Sequence, residues 1–398
     1  MMTCLQSILT FALMTVLASG AAAAEKMKSI KLDESSSGPH AVVVHDQSLV
    51  HTGLILPVNE SGRVVSTETL DQLRQLGQNA RTLIESIGSG QDDIVLFRVH
   101  CATRDELEFV RQKPAGLSNS LATYLISPLP DPEAKVGMEV IFASDKKYDK
   151  VAHLSSSVPG VRLSVLPRGR AVYISGQLEQ GNGTVETARL TMEGLHRTLT
   201  HIGLDASHVV HIRTFLAPMS KAGEVDDVID SFYPEDARPA VTHLEWKTTD
   251  SIEIEMIAWV PDDLQIEGAD PEATVQHFWL PWLTVSPVYC RYTLVISPDR
   301  IYVRDLIATD AESHEDQIHA IFGKLKKVLE AAGSDLEHLA KATYYTTNAE
   351  VSKPFGQIRP EYYSPEHPPA ASLARIEGIE VPGKAIAIDM LAVPAKAE

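Results

Sequence analysis

The 398-residue chain carries 35 lysines and arginines against 53 aspartates and glutamates, a formal charge of −18. So acidic a surface repels phosphate backbones, and no local basic stripe offsets it, which argues against nucleic acid as a partner. Lys324, Lys326 and Lys327 come nearest to a basic run, and they lie opposite the apolar side of an amphipathic helix, as a solvated face does.

The chain opens with a targeting pattern. Ile8 to Leu17 is a short apolar run, and Ala22-Ala23-Ala24 before Glu25 offers small residues at a secretory cleavage site. The run is too short for a comfortable membrane span. Residues 1–24 are therefore expected to be a signal peptide, the mature chain to be exported to the periplasm or medium, and no membrane contact to remain after cleavage. Residues 25–39 are a polar lead-in expected to be poorly ordered.

From there one pattern of elements recurs three times. A strand pair leads to a long amphipathic helix, then to a second strand and helix, then to a closing strand bearing an acid. The long helices carry Leu73, Leu76, Ala80, Leu83 and Ile87 before Gly88, then Ala188, Met192, Leu195, Leu199 and Ile202 before Gly203, then Ile318, Ile321, Leu325, Val328 and Ala332 before Gly333. The strands that follow are expected at Ile94 to Val99, Val209 to Leu216 and Leu339 to Tyr345. The closing strands are expected at Val136 to Ala143, Ile252 to Trp259 and Ile386 to Val393, with Glu139, Glu255 and Asp389 at matching places as structural acids. This places repeated domains at 40–145, 158–262 and 275–397, joined by polar or acidic connections. Phe278, Trp279 and Trp282 open the third and read as packing across a repeat boundary. Cys101 and Cys290 show no CxxC spacing. A disulfide between them is open in an oxidising compartment, and two separate buried thiols are the favoured reading.

The middle copy holds the chemistry. Tyr173-Ile174-Ser175-Gly176-Gln177 ends a strand at a hydroxyl and a glycine. Arg238-Pro239-Ala240-Val241 follows, and Glu253 stands in Ile252-Glu253-Ile254-Glu255. Without further context an arginine and a glutamate on neighbouring strands form a cross-strand ion pair. His208 and His211 are too few, and wrongly spaced for one face of a strand, to hold a metal.

These residues resemble the RidA/YjgF family of imine and enamine deaminases, once labelled L-PSP endoribonucleases. The resemblance spans the mature chain as three tandem domains. It implies an α+β, chorismate-mutase-like fold closing into an intrachain pseudo-trimer, and so a monomer. It also implies clefts at the boundaries between copies and no metal or organic cofactor. By the same resemblance Arg238 grips a substrate carboxylate through a two-pronged contact. Glu253 positions or activates the attacking water, and Ser175 and Gly176 line the pocket. The implied reaction is hydrolysis of a 2-imino or 2-enamino acid to a 2-oxo acid and ammonia at a single retained site. The alternative is a carboxylate-binding or interaction protein without catalysis. In the first copy the matching places read as Ala122, Gly137 and Thr52-Gly53. In the third they read as Pro368-Pro369-Ala370-Ala371, Ala387 and Arg304-Asp305, so both copies are expected to be structural. Arg238 and Glu253 are expected to face the strand end of another copy, with Asp305 a conceivable counter-ion for Arg238.

Overall fold

The computed structural model describes residues 25–33, 38–113 and 119–395; the signal-peptide reading lies outside them. The first copy runs β1 (Met27–Ile30), β2 (Ala41–Val44), β3 (Ser48–Thr52), α1 (Thr69–Ser86), β4 (Ile94–Cys101), α2 (Arg104–Arg111), β5 (Leu121–Ile126) and β6 (Val136–Ser144). The second runs β7 (Ala152–Ser155), β8 (Arg162–Leu166), β9 (Ala171–Gln177), α3 (Thr184–His201), β10 (Val209–Leu216), α4 (Ala222–Asp230), β11 (Ala240–Glu245) and β12 (Ile252–Trp259). The third runs β13 (Val275–Phe278), β14 (Tyr292–Val295), β15 (Arg300–Leu306), α5 (His314–Ala331), β16 (Leu339–Thr346), α6 (Ser352–Ile358), β17 (Ala370–Arg375), β18 (Gly378–Ile379) and β19 (Ile386–Ala392).

The three long helices each span 18 residues. The glycine beyond each has φ of 85°, 81° and 77° at Gly88, Gly203 and Gly333, the left-handed turn that stops a helix. Their apolar stripes lie on the sheets. Leu76 and Leu83 meet Phe97 and Phe142 in the first core, Met192, Leu195 and Leu199 meet Ile254 in the second, and Ile321, Phe322 and Leu325 meet Tyr344 in the third. Full burial of each such side chain stabilises by about 1.5–3 kcal/mol.

The opening strands depart from the expected strand pairs. β2 and β3 are consecutive but not paired: β2 pairs with β15 of the third copy, and β3 pairs with β8 of the second. Likewise β14 of the third copy pairs with β9 of the second. The resulting sheets read β1-β2-β15-β19-β16-β17, β11-β10-β12-β9-β14-β13 and β18-β5-β4-β6-β3-β8-β7. Each sheet thus takes its outer two strands from the copy that follows it around the ring, and β1-β2 close the ring by joining the N-terminal segment to the last copy. The lead-in expected to be poorly ordered therefore contains an ordered edge strand, Met27–Ile30. The strand Ala152–Ser155 likewise lies within a segment that reads as a connection.

The inner faces of the three sheets share one interior. Near one end of the pseudo-threefold axis Val95, Val210 and Ala340 come together with Leu121 and Ala370. Near the other, Phe215 and Tyr345 cluster with Leu125, Leu244 and Ala374. This is the α+β pseudo-trimer, built inside one chain. Cys101 and Cys290 are both buried and unpaired. Phe278 stacks on Tyr292 at 4.9 Å, and Arg197 lies over the Trp282 ring at 4.9 Å, so the aromatic cluster packs the third copy's opening onto the second.

Candidate functional site

Strand register fixes which residues are equivalent. Arg98 pairs with Glu139, Arg213 with Glu255 and Thr343 with Asp389. Two residues on, His100 pairs with Gly137, Phe215 with Glu253 and Tyr345 with Ala387, so Gly137 and Ala387 do stand at the place of Glu253. On the other side of each central strand, Leu121, Ala240 and Ala370 oppose Leu96, His211 and Lys341. Leu121 rather than Ala122 thus stands at the place of Ala240, and counting back two residues puts Asn119 at the place of Arg238 in the first copy and Pro368 in the third. His51, Tyr173 and Tyr302 also align, opposite Ile141, Ile257 and Leu391. Ser175-Gly176 therefore matches Gly53-Leu54, one residue on from the Thr52-Gly53 expected from sequence, and matches Arg304-Asp305 as expected.

Arg238 and Glu253 lie at opposite ends of β10. Ala240 is level with His211 and Glu253 with Phe215, four residues or about 13 Å apart at strand rise, and Arg238 is two residues further out. The two side chains consequently face different neighbours. On the Arg238 side, β11 meets the first copy, where the Leu54 N–H donates to the Val241 carbonyl at 3.2 Å. On the Glu253 side, β9 meets β17 of the third copy, where the Gly176 N–H donates to Ser372 Oγ at 3.2 Å and the Ala371 N–H donates to Ser175 Oγ at 2.8 Å. One boundary has the arginine without the acid. The other has the acid, the serine and the glycine, with Pro368 in place of an arginine.

Arg238 has partners of its own. Its Nη2 donates to Asp226 Oδ1 at 2.6 Å, and its Nε to Asp230, both on α4. Burial pushes the Asp226 carboxyl up, but its contacts with His243 and Arg238 win and hold it below the usual range. The counter-ions are thus two helix carboxylates rather than Asp305. Asp305 sits at the Gly176 place with φ of 51°, its carboxyl pushed well up by burial and by Glu380.

Ser175 is occupied structurally, donating to the Cys290 carbonyl at 2.6 Å while accepting from Ala371. Gly176 serves the close approach read from sequence, though to a side chain of its own copy: a Cβ there would collide with the Glu253 carboxyl. Glu253 Oε1 is enclosed and without a hydrogen-bond partner. Burial raises its pKa to about 8 against the pull of Lys341, so at neutral pH this carboxyl is mostly protonated.

Sequence reasoning passed over the most concentrated polar feature, a charge ring on the pseudo-threefold axis. Arg98 bridges Glu139 of its own copy and Asp389 of the third, the latter at 3.0 Å. Arg213 bridges Glu255 at 3.2 Å and Glu139 of the first copy at 2.8 Å. In the third copy Thr343 stands where an arginine would, and two cations divide the work. Lys341 reaches Glu255 of the second copy at 2.6 Å, and Arg304 reaches Asp389 at 2.5 Å. The sequence signal was the matched acids, whose partners become visible only when the copies are set side by side.

A separate cavity of about 1040 Å³ lies on the helix side of the first sheet, walled by Leu73, Ala80, Ile84, Phe97, Val110 and Tyr124. Arg74, Arg81, Glu85 and Lys113 also line it, so its walls are mixed in character.

The family model described as Endoribonuclease L-PSP matches residues 158–260 and 300–394. Through these two segments the chain belongs to that family, and the register above makes the first copy a third, more divergent domain of the same kind. Solved structures with a similar course include NMB1025, a YjgF family member from Neisseria meningitidis, at 15% identity, covering 31% of this chain and 97% of that one, with a TM-score of 0.24. Rv2704 from Mycobacterium tuberculosis is 23% identical over 23% of this chain and 80% of its own, with a TM-score of 0.22. E. coli TdcF with bound serine is 22% identical over 23% of this chain and 82% of its own, with a TM-score of 0.22. No curated protein matches the chain.

Proposed function

We propose that this chain is a binding protein on the L-PSP scaffold that does not hydrolyse imino acids through the family's arginine and acid. The observation that carries the reading is the separation of Arg238 from Glu253 into different boundaries between copies. A hydrolytic site needs the carboxylate grip and the water-directing acid on the same bound molecule, because effective positioning is lost over distances far smaller than 13 Å. The pairing of Arg238 with Asp226 and Asp230 supports the same conclusion, since a ligand carboxylate would have to displace both. The cavity beside α1 offers room for a small molecule with both apolar and charged parts. Export of the chain after Ala24 belongs to this reading, because a housekeeping deaminase would meet its short-lived substrates inside the cell.

One observation favours the deaminase reading instead: Glu253 is a mostly protonated acid with one carboxyl oxygen enclosed, the state of a proton donor. A single assay decides between them. Ammonia and 2-oxo acid release from freshly generated 2-iminobutyrate is expected to run at the spontaneous rate with the mature chain, with Arg238→Ala and with Glu253→Ala alike. Acceleration by the unaltered chain that both substitutions abolish would establish the deaminase.

A further inference from the structure

The charge ring surrounds a cavity of about 60 Å³ on the pseudo-threefold axis. One water needs roughly 15 Å³ on the same measure, so the space takes a few waters or one ion of three or four heavy atoms. His51, Tyr173 and Tyr302, equivalent residues of the three copies, form one wall. His211, Arg213, Arg304 and Lys341 line it with the ring carboxylates. The wall residues are buried, at 2%, 3% and 4% exposure. His51 Nε2 and Nε of Arg304 have no hydrogen-bond partner, and the Tyr173 and Tyr302 hydroxyls face each other, with Arg300 beside Tyr173.

The ring is not balanced. Arg98, Arg213, Arg304 and Lys341 face Glu139, Glu255 and Asp389, four cations to three carboxylates. The histidines add no charge: burial first, then Arg213 and Arg304, lowers the His51 pKa to about 3, and burial holds His211 well below its usual value. The surplus arises in the third copy, where two cations replaced one arginine. A buried surplus charge is costly unless paired, and unsatisfied buried donors add to that cost.

We propose that the axial cavity is a built site for one small monoanion of the formate, bicarbonate or halide class, held by the surplus cation with His51, Tyr173 and Tyr302 as donors. The site shares Lys341 and Glu255 with the surroundings of Glu253 and lies apart from Arg238, and its existence does not depend on whether the chain hydrolyses imino acids. Size excludes larger carboxylates, and the three-sided donor arrangement suits a spherical or planar ion on the axis. Arg304 is the residue whose loss restores the count to three against three, while Arg98 still holds Asp389.

The test uses the whole mature chain. Crystals grown in sodium bromide are measured for anomalous scattering, and thermal midpoints are compared in sodium bromide, formate and bicarbonate against sulfate at equal ionic strength. The expected result is one bromide on the axis within hydrogen-bond distance of His51. Saturable stabilisation by the three monoanions is expected with it, weakened at least ~10-fold in Arg304→Gln. Tyr302→Phe, which keeps the ring shape and the charges, is expected to weaken binding as well, so a folding defect in one variant leaves the other to report. Ordered water alone on the axis at saturating bromide would overturn the proposal, as would stabilisation that persists unchanged in both variants.

Discussion

At the scale of single residues, the chain shows how a symmetric polar network survives divergence of its copies. Arg98 has no free choice of partner, since it bridges two buried carboxylates from different copies at 1% exposure. Replacing Arg98 with methionine takes one contact from each of Glu139 and Asp389, which keep Arg213 and Arg304, and is expected to cost on the order of 1.5–3 kcal/mol in chemical denaturation, more than a surface ion pair. Glu253 has the opposite character. Its carboxyl titrates near 8 when folded against 4.5 as a free group, so between those values the folded chain holds a proton that the unfolded chain has released. Its contribution to stability therefore falls as pH rises through that window. The groups facing it are Lys341, Glu255, Asp250 and Ser372. Relative to the unaltered chain, Glu253→Gln is expected to gain on the order of a few kcal/mol on going from pH 5 to pH 9, measured as the difference between two denaturation series. A difference independent of pH would show that Glu253 is not held protonated.

At the scale of elements, the long helices and their glycine stops were legible because periodicity and left-handed caps are local properties of sequence. The four stripe residues of α3, Ala188, Met192, Leu195 and Leu199, and its C-cap Ile202 are all buried. The exchange of opening strands was not legible, because β2 and β3 carry the same apolar pattern whichever sheet receives them, and a short loop serves a hairpin or a hop between sheets equally well. The same limit applies to the candidate site. Arg238, Ser175, Gly176 and Glu253 were found as residue types at a spacing, but which of them meet depends on how three copies are arranged about an axis. The one-residue shift from Thr52-Gly53 to Gly53-Leu54 likewise appears only in the pairing with β6. The exchange has a mechanical consequence. Removing residues 25–46 deletes β1 and β2 and bares the edge of β15, so amide protection by hydrogen exchange is expected to collapse in β15 while β4 and β6 keep theirs. Uniform retention of protection in β15 would contradict the exchanged pairing.

At the scale of the whole molecule, closing three unlike copies within one chain makes every boundary different. One keeps the arginine and another keeps the acid; the third has Asn119 where the arginine would stand and Ala387 in place of the acid. Were three chains to assemble through their middle copies instead, the pseudo-threefold relation would set Arg238 of each beside Glu253 of the next, the arrangement that the deaminase reading requires. The state of association therefore decides whether the arginine and the acid stay apart or meet. Multi-angle light scattering of the mature protein measures it directly. The mass of one chain is expected at all concentrations, with no imino acid hydrolysis in the same sample. A stable particle of three chains would contradict that expectation.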